Sequence, residues 1–170
     1  MTTDLTMLTA TGVLAALLIL PYGLAMWTLW PIGEILGNRA GPSPALPAWA
    51  ERAQRAQRNM LENLPHFAVF VLVAHAAGLS NTQTAVGATI FFWARLVHAV
   101  AYIAGQWQLR APAFFAGLGG ECLIITRLLG WSPAATTVGI AALAIAFVST
   151  VVVLRRLAAP MHSGREGLSV

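Results

Sequence analysis

From Met7 onward the chain alternates long apolar runs with short polar breaks. Five runs approach or exceed the ~20 residues a helix needs to cross a hydrocarbon core. They are Met7 to Trp30, Met60 to Leu79, Ala85 to Gly105, Pro112 to Gly130 and Ala134 to Leu154. Pro21 removes one helix hydrogen bond from the first and is expected to bend it without ending it. The connector "GNRAGPSPALPAW" (Gly37 to Trp49) cannot be helical throughout, but after Pro47 come good helix formers. The second helix is therefore expected to start in water near Ala48 and reach Ala77, its span with this lead covering 48–79. The expected fold is all-α, a single multi-pass helical bundle in a membrane, with no internal repeat or second domain.

Polar residues interrupt two of these runs in register. At 3.6 residues per turn, Arg55, Asn59, Glu62 and His66 share one stripe of the second helix, while Arg95, His98 and Tyr102 share one on the third. An ionised side chain near the middle of a membrane helix costs ~2.5 to 3.5 kcal/mol, so Glu62, Arg95 and Glu121 are expected to point inward to partners. Glu62 with Arg95, or Arg95 with Glu121, would make a structural ion pair. Antiparallel packing of the two helices would bring Glu62, His98 and Tyr102 to similar depth, with Arg58 and Arg110 at the rim of a polar pocket.

Composition agrees with lipid as the solvent: 58% of the 170 residues are hydrophobic and 9% charged. All ten basic residues are arginine, and the net charge is +4. Five crossings put Arg39, Arg52, Arg55, Arg58, Arg110, Arg155, Arg156 and Arg165 on one side, and the opposite loops carry none. That asymmetry predicts an outer N-terminus and a cytoplasmic C-terminus. The arginines are not interleaved with aromatics along a groove, which argues against nucleic acid. Asp4 replaces a basic leader, so the first run is expected to be a retained span, not a cleaved signal. Cys122 is single, and His66 and His75 point to different sides of their helix, so no metal is expected. Nucleotide-binding and hydrolase motifs are absent.

The stretches "GNRAGPSPALPAWAERAQRAQRNMLENLPHF" and "ARLVHAVAYIAGQWQLR", in this order across membrane spans, resemble the MAPEG family, membrane-associated proteins of eicosanoid and glutathione metabolism, in its bacterial branch. The resemblance covers Leu5 to Leu129. It implies a four-helix core assembled as a homotrimer, with glutathione as co-substrate held between subunits near the cytoplasmic face of a bacterial inner membrane. It also implies that Arg55, Arg58, Asn59, Glu62, His98 and Tyr102 line the glutathione site, and that Arg95 pairs internally. Tyr102 and Arg110 become the candidate catalytic groups, acting on the thiol. In several eukaryotic members an arginine early in the fourth helix sits beside that thiol; here Arg110 precedes the position and Phe114 and Phe115 follow it. The expected activity is conjugation of the thiol to a lipophilic electrophile, or reduction of one. The fifth run lies outside the family's core. With the displaced arginine, it motivates the alternative of a non-catalytic subunit docked onto a larger membrane complex.

Overall fold

The computed structural model describes residues 1–38 and 45–132, together with Ala134, Ala135, Val138, Ala141, Ile145 and Ser149, which are helical. The expected fifth span and Arg39, Arg155, Arg156 and Arg165 therefore fall largely or wholly outside the described residues. Met1–Trp131 form one compact unit and Ser132–Val170 a second.

The first unit is an all-α membrane bundle. Its elements are α1 (Thr3–Leu17), α2 (Ile19–Leu29), the short α3 (Ile32–Leu36), α4 (Ala48–Ala76), α5 (Thr82–Ala104) and α6 (Trp107–Leu128). Among the described residues, three rods are long and apolar enough to cross a membrane: Thr3–Leu29, Thr82–Ala104 and Trp107–Leu128. The first is interrupted at Leu18, where α1 gives way to α2. Pro21 accounts for this, since its ring crowds the carbonyl four residues back and offers it no N–H.

α4 is the longest helix at 29 residues and contains Pro65 without ending there. Asn81 opens α5 with a capping box, its side chain accepting from the Thr84 N–H while Thr84 Oγ1 accepts from the Asn81 N–H. That cap starts α5 three residues earlier than the apolar run suggests. α6 also starts early, at Trp107 instead of Pro112, which shortens the α5–α6 turn to Gly105 and Gln106. Gly105 makes the reversal with φ of 76°, a left-handed conformation suited to glycine. The early start places Arg110 on helix, one turn from its N-terminus.

Lipid gives helices no hydrophobic reason to associate, so close van der Waals fit must do it. The α5–α6 seam shows this. A Cβ on Gly120 would lie 2.5 Å from the Gly87 carbonyl oxygen, and one on Gly87 would lie 2.6 Å from the Gly120 oxygen. Beside the seam, Phe67 and Phe91 stack with ring centroids 3.8 Å apart, packed among the fully buried Val71, Ala74, Ala88 and Ile124.

The far ends of the helices are tied by polar contacts. At one end the buried Asp4 carboxylate accepts from Ser80 Oγ at 2.6 Å and Thr84 Oγ1 at 3.3 Å. Gln83 donates to the Leu123 carbonyl and to Thr126, and Arg127 donates to the Leu79 carbonyl. At the other end Tyr22 donates to Gln57, and Arg52 donates from Nε to the Ile103 carbonyl at 3.0 Å. These pairings make α4 and α6 antiparallel to α1, α2 and α5.

Candidate functional site

The polar stripe of α4 divides along its length. Ala53, Ala56, Met60, Phe67 and Val71 set the buried face. Asn59 and His66 lie on its inner flank, whereas Arg55, Arg58 and Glu62 are exposed. The stripe of α5 belongs instead to the interior: Arg95 and His98 are buried and Tyr102 is half-buried.

Inside, three helices meet through polar side chains. Arg95, 2% exposed, donates from Nη1 to Asn59 Oδ1 at 3.1 Å. Its guanidinium also lies 5.3 Å from the Phe91 ring centroid and 5.0 Å from that of Phe114. Glu121, 2% exposed, meets His66, whose Nδ1 is 2.7 Å from Oε1. Arg95 and Glu121 form no direct ion pair: Arg95 bonds to Asn59 and Glu121 meets His66, two turns further along α4. His66 was visible in the α4 stripe, but its role as partner of Glu121 was not; nothing in the sequence fixes which α4 residue faces that glutamate.

At the Arg110 end, Arg52 and Arg55 of α4, Tyr102 and Ala101 of α5, the Gly105–Gln106 turn, and Trp107 and Arg110 of α6 line a cleft of about 160 Å³. The Arg110 guanidinium stacks over the Tyr102 ring, 4.8 Å from its centroid. Arg55 also pairs with Glu51 at 3.6 Å on the exposed surface, a contact worth little in water. Three of the expected residues therefore converge: Arg55, Tyr102 and Arg110. Asn59 and His98 do not line the cleft. Neither do Arg58 and Glu62, which stand on the outer face of α4. Arg52, which the sequence places only among the arginines of one membrane side, joins the lining because its Nε bond to Ile103 holds it against the end of α5.

Phe114 lies two turns into α6, one turn beyond Arg110. Its ring is turned inward, toward the Arg95 guanidinium and 5.9 Å from the His98 ring. The nearest cation to Tyr102 on α6 is thus Arg110, supplied by the early helix start. The arrangement offers planar guanidinium groups suited to carboxylates, and a phenol beside them, at one end of a membrane bundle.

The model of the MAPEG family matches residues 5–130. The chain belongs to the MAPEG family. The match spans α1 to α6 and stops at the boundary of the second compact unit. As a MAPEG protein it is a multi-pass membrane protein of a family associated in general with glutathione and eicosanoid metabolism. No curated protein matches the chain.

Proposed function

We propose that this MAPEG protein binds glutathione at the arginine-lined cleft and uses its thiol to conjugate or reduce a lipophilic electrophile. The observation that carries the reading is the convergence of Arg52, Arg55, Arg110 and Tyr102 on one cleft. Glutathione has two carboxylates, one ammonium group and a thiol. Guanidinium forks match the carboxylates, and a hydroxyl or cation near sulfur favours the thiolate, the reactive form.

The cleft is small, so it would take one end of the tripeptide. Arg58 and Glu62 on the exposed face of α4 would take the rest, Glu62 receiving the ammonium group. A neighbouring copy in a homotrimer would close this face. Tyr102 would donate its O–H to the sulfur, while Arg110 over the ring strengthens that donor. In conjugation the sulfur forms a bond to the electrophilic carbon, whose leaving group departs with the bonding pair, and the thiol proton passes to water. Lipid would deliver the electrophile from the side. The proposed setting is the bacterial inner membrane, with the cluster of Arg52, Arg55, Arg58 and Arg110 on the cytoplasmic side.

A thiol-conjugation assay with an electrophilic aryl halide tests the reading in wild type, Arg58→Ala and Tyr102→Phe. Loss of activity in both folded variants is expected. Wild-type inactivity with stable co-purification of other membrane subunits would replace it with the accessory-subunit reading; equal activity in all three would remove these residues from the site.

A further inference from the structure

The cleft holds more positive charge than its own lining balances. Arg52, Arg55 and Arg110 face it, and no acidic residue is among the described residues that line it. Arg55 has Glu51 at 3.6 Å, whereas Arg52 and Arg110 pair with no carboxylate among the described residues. Arg52 bonds to the Ile103 carbonyl through Nε, and its guanidinium rests against Gly105, where a Cβ would lie 3.5 Å from Cζ. Arg110 covers the Tyr102 ring. Each guanidinium has N–H donors to spare in the fork that fits the oxygens of a phosphate or carboxylate.

Position indicates where such an anion would come from. The cleft lies where one apolar rod, Thr82–Ala104, ends and the next, Trp107–Leu128, begins, so it opens at the edge of the hydrocarbon core. Trp107, part of its wall, is 71% exposed, as an aromatic ring at headgroup level would be. One, two and three turns on from Trp107, the same face of α6 continues with Ala111, Phe115 and Leu118, all apolar and exposed. A molecule with its anionic group in the cleft can therefore lay hydrocarbon along α6. Glutathione and inorganic phosphate have none to lay there.

We infer that, without glutathione, the cleft takes the phosphate of an anionic phospholipid from the surrounding leaflet, with an acyl chain along that stripe. Lipid and glutathione then compete for the same arginines, and membrane composition sets the thiol affinity the protein displays. A zwitterionic phospholipid carries its own cation near the phosphate and is the weaker ligand. The lipid site stands on the charge and position of the cleft; the competition rests on the proposed thiol site.

Protein in nanodiscs of phosphatidylcholine alone, or of phosphatidylcholine and phosphatidylglycerol in equal parts, tests both halves. Native mass spectrometry of protein released from the mixed discs is expected to show phosphatidylglycerol retained in preference to phosphatidylcholine. The preference should disappear in folded Arg52→Gln and fall when glutathione is added to wild type. Calorimetry should show glutathione bound about threefold to tenfold more weakly in the mixed discs.

Equal retention of the two lipids by wild type, or an unchanged preference in Arg52→Gln, would overturn the lipid site. Weaker glutathione binding with no phosphatidylglycerol retained would mark repulsion by the charged surface alone and overturn it as well. Inorganic phosphate, added to the phosphatidylcholine discs at the glutathione concentration, should leave glutathione binding unchanged; competition as strong as that of phosphatidylglycerol would assign the cleft to free phosphate instead. Absence of glutathione binding in both discs would remove the thiol site, while lipid retention in wild type and Arg52→Gln would still decide the lipid site.

Discussion

Replacing Gly120 by alanine adds a single methyl group where the α5–α6 seam has no room. The new Cβ would lie 2.5 Å from the Gly87 carbonyl oxygen and 2.9 Å from the Phe91 backbone nitrogen, against 3.4 Å for the start of ordinary contact. Both obstacles are backbone, so no side chain can swing aside. The helices must separate by about 1 Å, a gap that forfeits a quarter to a half of each contact's attraction along the seam. Overpacking of this kind costs about 1 to 3 kcal/mol, and alanine returns roughly 1 kcal/mol through its better helix propensity. A net loss of about 2 kcal/mol is expected because the obstruction is backbone on both sides. Gly119 is the internal control: a Cβ there meets nothing within 4 Å, so Gly119→Ala should be neutral or stabilising by up to about 1 kcal/mol. Unfolding of both variants in detergent, followed by helical circular dichroism against denaturant, measures the difference. Gly120→Ala as stable as Gly119→Ala would refute the seam.

Other consequences follow from single contacts. Glu121→Ala removes the acidic partner of His66 inside the bundle and should destabilise by about 1 to 3 kcal/mol, seen as a loss of folded protein on size-exclusion chromatography. Asp4→Ala removes the acceptor of Ser80 and Thr84 and should cost about 1 to 3 kcal/mol; Asp4→Asn, which keeps one oxygen, should cost less in the same denaturant titration. Arg110→Lys retains charge but not the planar stack on Tyr102, and should weaken conjugation more than it weakens folding, measured by kcat beside a melting curve.

The bundle was legible because spacing and hydropathy act locally. Runs of ~20 apolar residues and the change from Pro-rich connector to helix formers located four helical rods, with starts displaced by up to five residues. The errors came from end chemistry: the Asn81–Thr84 capping box extends α5 backward, and the two-residue turn at Gly105 starts α6 before Pro112. Hydropathy does not register either device. The site was legible as residue types and helix faces. Its partners were not, because a stripe on one helix says nothing about rotation relative to the next. That rotation sends Asn59 to Arg95 and His66 to Glu121, and leaves Glu62 on the outside. Arg52 was missed for the same reason, since its acceptor is a backbone carbonyl 51 positions away.

Calorimetry of the purified protein with glutathione and with its diester, in which both carboxylates are blocked, bears most directly on the arginine cleft as a thiol-peptide site. Saturable binding of glutathione, lost with the diester and in Arg55→Ala, is predicted. Equal binding of both compounds, or none of glutathione at millimolar concentration, would contradict it.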